Sequence, residues 1–202
     1  MRLFLDELIG AVVQLCIFSF VPFIWWLASA RKTSNFFDWI GLKRIVYSGK
    51  TAKTLLGVVL SATVYCVLVY LCISLISDQI TTAGSQFAGQ GPAGIPMAFA
   101  YGYIRTGLAE EIVFRGFVLK SVQRRFGFAA GNLAQAVLFG LLHGVPFGLV
   151  TQNVLVVVLM TILPSAFGWY QGWLNEKRCG GSIVPSWLLH GTMNCLVACL
   201  SL

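Results

Sequence analysis

Apolar residues dominate six stretches of the chain, and polar or basic residues are concentrated between them. The apolar stretches cover about residues 8–30, 55–77, 96–119, 127–145, 149–172 and 182–202. A helix needs roughly 20 residues to cross a hydrocarbon core about 30 Å thick, and the fourth stretch is nearest to the short limit. The pattern therefore predicts an all-α integral membrane protein, a bundle of about six transmembrane helices.

The connections between these stretches carry turn-forming residues. A Gly/Ser/Thr/Gln-rich loop covers residues 78–95. The polar and glycine residues of Arg124–Gly127 (RRFG) predict a turn. A second glycine-rich segment, Gly144–Gly148, predicts a corner between the fourth and fifth stretches, because glycine and proline are the residues that most often end regular structure.

Composition excludes a water-soluble protein. Of 202 residues, 57% are hydrophobic and only 10% are charged, whereas soluble domains carry about 25% charged residues. No loop is long enough for a separate soluble domain. We therefore expect residues 1–202 to form a single membrane-embedded domain, with two N-terminal helices and loops in 1–95 and a four-helix core in 96–202.

The positive charges are concentrated in alternate loops. Residues 31–54, 120–125 and 177–178 contain 11 of the 14 lysines and arginines. With six spans these loops face the same side of the membrane, and loops rich in Lys and Arg face the cytoplasm. The N-terminus is therefore predicted to lie outside. The net charge of +7 has an explanation in the membrane, so nucleic acid is not expected as a partner.

Ionisable residues inside the apolar stretches are the candidates for chemistry. Glu110, Glu111 and Arg115 lie in the third stretch, while His143 and His190 are the only two histidines of the chain. A charge in the bilayer core costs several kcal/mol, so such residues are usually functional. A purely structural ion pair explains Glu111 with Arg115, which are four residues apart on a helix, but it leaves the second glutamate without a role.

Spacing predicts that Glu110 faces His143. Both residues are equally far from the predicted turn, roughly 25 Å along an antiparallel pair of helices. A carboxylate and an imidazole at one depth can deprotonate a water molecule. His190 and Asn194, four residues apart, can donate hydrogen bonds to a developing oxyanion. Alternatively, one glutamate and two histidines are a ligand set used by catalytic zinc.

Three short motifs give this pattern a family resemblance. Glu110–Gly116 (EEIVFRG) resembles an EExxxR motif, Phe139–His143 (FGLLH) an FxxxH motif, and His190–Asn194 (HGTMN) an HxxxN motif. These motifs, in this order on separate apolar segments, are typical of the CPBP family of intramembrane proteases. That family includes the type II CAAX prenyl endopeptidases and bacterial bacteriocin-processing and immunity proteins. The resemblance covers about residues 96–202.

The resemblance implies hydrolysis of a peptide bond within the membrane. Glu110 and His143 would activate water, and His190 and Asn194 would stabilise the oxyanion. The supporting motif positions would be Glu111, Arg115 and Phe139. The family has been described both as metalloproteases and as glutamic proteases. Because Asn is a poor zinc ligand and a good oxyanion donor, we expect no metal cofactor; a zinc ion would use Glu110, His143 and His190.

The expected partners are the lipid bilayer and a membrane peptide or protein substrate, and the expected location is the bacterial inner membrane. Two other classes of protein are compatible with the composition. A non-catalytic immunity or export-partner protein could use the same scaffold, although every motif position is retained here. A small transporter could use Glu110 and Glu111 as a cation site, although the chain has no inverted repeat and the His–Asn pair would have no role.

Overall fold

A computed structural model of the protein describes residues 2–49, 51–76 and 86–202, and these ranges contain helices and no strand. Of the loop predicted at 78–95, residues 78–85 lie outside the described ranges. The helices are α1 (Arg2–Ser29), α2 (Phe36–Ile40), α3 (Thr51–Ile76), α4 (Ile95–Phe99), α5 (Ala109–Glu111), α6 (Lys120–Thr151), α7 (Val154–Trp173) and α8 (Val184–Cys199).

Four helical stretches are long and apolar enough to cross a membrane. They are Leu3–Ser29, Thr51–Leu71, Gly91–Thr151 and Val154–Arg178. The third stretch is broken at Gly127, whose dihedral angles (φ 83°, ψ 168°) are not helical, so it contains two of the predicted spans. With α8, the described chain has six long helical segments. The predicted all-α membrane fold and the turn at Arg124–Gly127 are therefore confirmed.

The corner predicted at Gly144–Gly148 is wrong. α6 continues through these residues and ends where Gln152 adopts a left-handed conformation with φ 53°. The side chain of Asn153 then caps α7. The glycines are needed for packing, because a Cβ atom on the first of them would lie only 2.7 Å from the carbonyl oxygen of Val157 in α7. Glycine is used here for close approach of two helices and not for a turn.

The chain forms two compact units, and each is assembled from segments that are distant in sequence. The first contains Met1–Ile45, Thr82–Phe117 and Ser182–Leu202, and the second contains Val46–Thr81 and Val118–Gly181. The first unit therefore includes α1, α2, α4, α5 and α8, while the second includes α3, α6 and α7. The expected division at residues 95 and 96 within one membrane-embedded domain stays a prediction.

In the first unit, the short helix α2 supports the beginning of α8. Asn35 caps α2 by accepting a hydrogen bond from the N–H of Asp38 (2.9 Å), and Gly41 ends it with φ 86°. The carbonyl oxygen of Gly41 then accepts a hydrogen bond from the N–H of Ile183 (2.8 Å). Ile183 and Ile40 are fully buried in one apolar cluster. This packing fixes the point at which α8 starts.

In the second unit, α6 and α7 are joined by neutral side chains. The Gln135 amide donates to the carbonyl oxygen of Gly168 (2.8 Å), and the Asn132 amide donates to that of Trp169 (3.0 Å). Both amides are fully buried. Such bonds satisfy polar groups inside the membrane without introducing charge. They hold the part of α6 that leads to the FxxxH motif.

Candidate functional site: a buried glutamate and histidine cluster

The two glutamates lie at the junction of two π-helical segments. They belong to the single turn of α5, which follows the π segment Ala100–Leu108 and precedes the π segment Ile112–Leu119. In a π helix each N–H bonds the carbonyl five residues earlier, and such segments are frequent at functional sites. The glutamate pair therefore lies on a short α-helical turn, and the π segments on either side of it have a different helical pitch from that turn.

Glu111 has a complete set of partners. Its Oε1 atom lies 3.0 Å from Nη1 of Arg115, and both side chains are fully buried, which confirms the ion pair that the i,i+4 spacing predicts. The Ser186 hydroxyl donates a hydrogen bond to Oε2. The Nδ1 atom of His190 lies 3.0 Å from Oε1. Glu111 thus connects the EExxxR motif to two positions of α8.

Glu110 has a different environment. Its side chain is 17% exposed, and its Oε2 atom is 3.7 Å from Nε2 of His190, which is too long for a hydrogen bond. Oε2 is buried and has no hydrogen-bond partner in the part of the chain that the structure describes. The adjacent carboxylates are therefore chemically distinct: Glu111 is engaged by its neighbours, whereas one oxygen of Glu110 is available.

Histidine 190 is held between the two glutamates. Because a carboxylate can only accept a hydrogen bond, the 3.0 Å contact with Glu111 places a proton on Nδ1 of His190. The opposite nitrogen, Nε2, faces Glu110. A carboxylate behind a histidine fixes the tautomer and the orientation of the ring, so His190 presents Nε2 in a defined direction.

Asn194 is one turn beyond His190 on α8 and is anchored separately. Its Nδ2 atom donates to the hydroxyl of Thr106 (2.8 Å), and that hydroxyl donates to the carbonyl oxygen of Tyr101 (2.9 Å). An amide nitrogen carries two hydrogens. One of them is used by Thr106, and the other remains for a further acceptor.

Small residues bring α8 close to the π segment that precedes α5. A Cβ atom on Gly102 would lie 2.7 Å from the backbone nitrogen of Cys195 and 2.8 Å from the carbonyl oxygen of Gly191. The indole of Trp187 also donates to the carbonyl oxygen of Tyr103 (2.6 Å). Glycine at a helix crossing permits backbone approach. This approach is what places His190 beside the glutamates.

The FxxxH motif belongs to the second unit. Nδ1 of His143 lies 2.7 Å from the carbonyl oxygen of Phe139, one turn earlier in α6, and the two rings are 4.5 Å apart between centroids. A carbonyl oxygen only accepts, so Nδ1 carries the proton and a neutral ring has its lone pair on Nε2. Glu110 and His143 lie in different units, and their predicted pairing stays a prediction.

A protein family model covers all of these motifs. The model of the Rce1-like type II CAAX prenyl endopeptidases matches residues 92–196, which are 105 of the 202 residues. The chain belongs to the Rce1-like family. No curated protein and no solved structure matches it. The family model includes the EExxxR, FxxxH and HxxxN segments and does not reach α1, α2 or α3.

Membership of the Rce1-like family makes the chain a protease, and its apolar helices make it an integral membrane protein. This confirms the family resemblance that the three motifs indicate. The charged and polar cluster of the first unit lies within the matched segment. Its substrate is therefore a peptide or protein that is embedded in the membrane.

Two polar residues that contact the site in this Rce1-like protein lie outside the three motifs. Ser186 binds Glu111, and Thr106 binds Asn194. Both could have been found by spacing, since Ser186 is four residues before His190 and Thr106 is four residues before Glu110. Residues four apart share a helix face. A polar residue at such a position inside an apolar stretch is a signal that the motif pattern omits.

The first unit of this Rce1-like protein contains two residue types that zinc uses as ligands, glutamate and histidine. Catalytic zinc is usually held by three protein ligands, among them histidine and carboxylate. Glu110 supplies a buried unpartnered oxygen, and the Glu111 carboxylate orients His190 as outer partners of zinc-bound histidines do. His143, the third ligand expected from the sequence, belongs to the second unit. Within residues 2–49, 51–76 and 86–202, no three His, Cys, Asp or Glu side chains are grouped so as to hold a metal ion.

Proposed function

We propose that this protease hydrolyses a peptide bond by direct attack of water, in which Glu110 is the general base. The observation that carries the proposal is the difference between the two adjacent glutamates. Glu111 is bound by Arg115, Ser186 and His190, whereas Oε2 of Glu110 is buried beside His190 without a hydrogen-bond partner among the described residues. A general base needs an available lone pair within reach of the water it deprotonates.

His143 acts with Glu110 in this proposal. Its Nδ1 hydrogen is donated to a backbone carbonyl, so the lone pair of Nε2 is available. Two bases can orient one water molecule, with one taking its proton and the other accepting its second hydrogen. Hydroxide is then delivered to the carbonyl carbon of the scissile peptide bond.

His190 and Asn194 stabilise the oxyanion that forms. In this proposal Nδ1 of His190 stays bonded to Glu111 while Nε2 donates a hydrogen bond to the oxyanion, and the second amide hydrogen of Asn194 is another donor. Donors fixed in advance where negative charge develops are a main source of catalysis.

The proton balance closes within these groups. Water adds to the carbonyl carbon, its proton passes to Glu110, and the C–N bond of the tetrahedral intermediate then breaks. The departing amine takes the proton from Glu110, which returns the carboxylate to its starting state. If zinc is bound by Glu110, His143 and His190, it supplies a Lewis acid that polarises the substrate carbonyl and the water.

We propose a membrane-anchored peptide, or the membrane anchor of an exported protein, as the substrate. The test is a mass-spectrometric comparison of membrane peptides from cells that produce the wild-type protein or the Glu110→Gln variant. We expect a set of new peptide termini that is present only with the wild type. Identical peptide populations, with both proteins produced at equal levels, would contradict the protease mechanism and favour a non-catalytic membrane binding protein.

We also propose that the protein lies in the bacterial inner membrane with its N-terminus outside. Six of its bases lie between residues 31 and 54, directly after α1, and such loops stay in the cytoplasm. A reporter that is active only in the cytoplasm, fused after Arg44, should be active. Activity of a periplasm-specific reporter at the same position would reverse the proposed orientation.

A further inference from the structure

A cavity of about 250 Å³ lies in the first unit, apart from the glutamate and histidine cluster. It is formed by the beginning of α1, by the segment that precedes the 3-10 turn Gly91–Gly94, and by α4. Its polar lining residues are Asp6, Glu7, Gln86 and Gln90. None of them belongs to the EExxxR, FxxxH or HxxxN motifs.

Glu7 gives this cavity an unsatisfied acceptor. The residue is only 8% exposed, and its Oε2 atom is paired with Nη1 of Arg105 at 2.9 Å. Its other oxygen, Oε1, is buried and has no hydrogen-bond partner in the described ranges of the chain. A buried acceptor without a partner costs about 1–3 kcal/mol, and a donor that enters the cavity would remove that cost.

The charge of the lining selects the donor. Asp6 and Glu7 contribute two negative charges, and Arg105 compensates one of them. The described lining therefore has one excess negative charge and four side chains that can accept hydrogen bonds. A primary ammonium or a guanidinium satisfies both the charge and the free oxygen. A phosphate-bearing lipid headgroup fits less well, since no lysine or arginine is among the described lining residues.

The cavity is connected to the proposed active site through α8. Two of its apolar lining residues, Phe87 and Met97, belong to one buried cluster with Cys195 and Ala198 of α8. Ala198 is eight residues beyond His190, which is about 12 Å along the helix. An extended peptide covers that distance with about four residues. A substrate held at His190 can therefore reach the cavity.

We propose that this cavity binds a basic side chain of the membrane peptide, about four residues from the bond that is cleaved. The carboxylate of Glu7 accepts a hydrogen bond from the ammonium or guanidinium, Asp6 at the exposed rim attracts the charge, and Phe87 and Met97 contact the apolar stem. The proposal rests on the proposed function and adds a specificity determinant to it.

The first test measures binding without catalysis. The full-length protein in detergent micelles is titrated with N-acetyl-lysine methylamide, and the norleucine analogue, which has the same stem without the ammonium, is the control probe. We expect the lysine probe to raise the unfolding temperature in a saturable way, and the norleucine probe to have no such effect. In Asp6→Asn and in Glu7→Gln the concentration for half-saturation should rise about tenfold, as for loss of a charged hydrogen bond.

Asp38→Asn is the matched control, because it removes one carboxylate from an exposed position in α2 and should leave the response unchanged. Equal responses to the two probes, or a full lysine response in Asp6→Asn, would overturn the proposal. Since Asp6 is exposed, its variant should fold even if Glu7→Gln, which loses the charge paired with Arg105, does not.

The second test concerns the substrate. Single-span model peptides that differ only in the position of one lysine are incubated with the enzyme, and cleavage is followed by mass spectrometry. We expect kcat/KM to be about tenfold higher for one lysine position, and the ratio between the lysine positions to fall towards one in Asp6→Asn but not in Asp38→Asn. Equal cleavage of all peptides overturns only the proposed subsite.

Two further outcomes separate the possible failures. Binding of the lysine probe without cleavage of any peptide would contradict both the proposed function and the role of the cavity in it. A higher unfolding temperature in phosphatidylethanolamine vesicles than in phosphatidylcholine vesicles, lost in Asp6→Asn and without any lysine preference in cleavage, would assign the cavity to a lipid headgroup and overturn the proposal.

Discussion

In the first compact unit the buried polar side chains around Glu111 are charged, whereas in the middle of α6 the second unit uses neutral amides and has its Lys120–Glu176 ion pair only at the start of that helix. Glu111, Arg115 and His190 of the first unit are at most 5% exposed, and Glu111 contacts both of the others. In the second unit, Asn132 and Gln135 are equally buried and bind backbone carbonyls. The first arrangement pairs opposite charges, whereas the amides of Asn132 and Gln135 donate to backbone carbonyls without any charge.

The difference has an energetic consequence. A set of charges is stable in a low dielectric only when it is complete, because one unpaired ion costs more than a lost hydrogen bond. Removal of one neutral amide only removes its own hydrogen bonds, and the free-energy cost is smaller. We therefore expect substitutions among Glu111, Arg115 and His190 to be strongly non-additive, and substitutions at separate α6–α7 contacts of the second unit, such as Asn132 and Gly144, to be nearly additive.

The largest effect is expected for Glu110→Gln. Glutamine keeps the size of the side chain and removes the base, so kcat should fall by about 10²–10⁴-fold, the usual contribution of general acid–base catalysis. Because Oε2 of Glu110 has no hydrogen-bond partner among the described residues, the unfolding temperature should change little. Initial rates and thermal unfolding of the purified protein measure both. Normal cleavage by this variant would show that the two glutamates have been assigned the wrong way round.

Glu111→Gln should produce the opposite separation of effects. It leaves the buried guanidinium of Arg115 without its carboxylate, and breaking one side of a buried pair costs about 3–5 kcal/mol. Stability and abundance should fall together with activity. The double variant Glu111→Gln/Arg115→Met removes both charges and should recover part of that stability. A double variant that is as unstable as the sum of the two single variants would contradict the charge argument.

In the second unit, Gly144→Ala tests packing in place of charge. The added Cβ would lie 2.7 Å from the carbonyl oxygen of Val157 and 2.9 Å from the nitrogen of Thr161. Overpacking of this kind costs about 1–3 kcal/mol, so we expect a lower unfolding temperature and a smaller loss of activity. Gly57→Ala in α3 is the matched control, because its Cβ would be 3.9 Å from the nearest atom, the Tyr170 hydroxyl. Equal destabilisation by both substitutions would argue against close packing of α6 and α7.

These two units also differ in how well their sequences predict them. Apolar length predicts the spans, and the i,i+4 spacing predicts the Glu111–Arg115 pair. The turn at Gly127 is predicted correctly, whereas the corner at Gly144–Gly148 is predicted wrongly. Glycine occurs both in turns and at helix crossings, and the local sequence does not distinguish the two uses. The π segments around α5 have no periodic signal of their own, since the apolar pattern runs through them unchanged. The partners Ser186 and Thr106 depend on which helices pack together, which a single sequence does not specify.

The smallest effect is expected for removal of metal ions. The metal-free and zinc mechanisms assign opposite states to Nε2 of His190: a hydrogen-bond donor in the first, a lone pair in the second. The contact between Glu111 and Nδ1 is compatible with both, but the Asn194 amide, anchored on Thr106, is a hydrogen-bond donor and a poor zinc ligand, which favours the donor. We therefore expect initial rates to be unchanged after prolonged treatment with EDTA and with phenanthroline, with residual metal measured by mass spectrometry. Loss of activity that one equivalent of zinc restores would reverse this assignment, and Nε2 of His190 would then be a ligand.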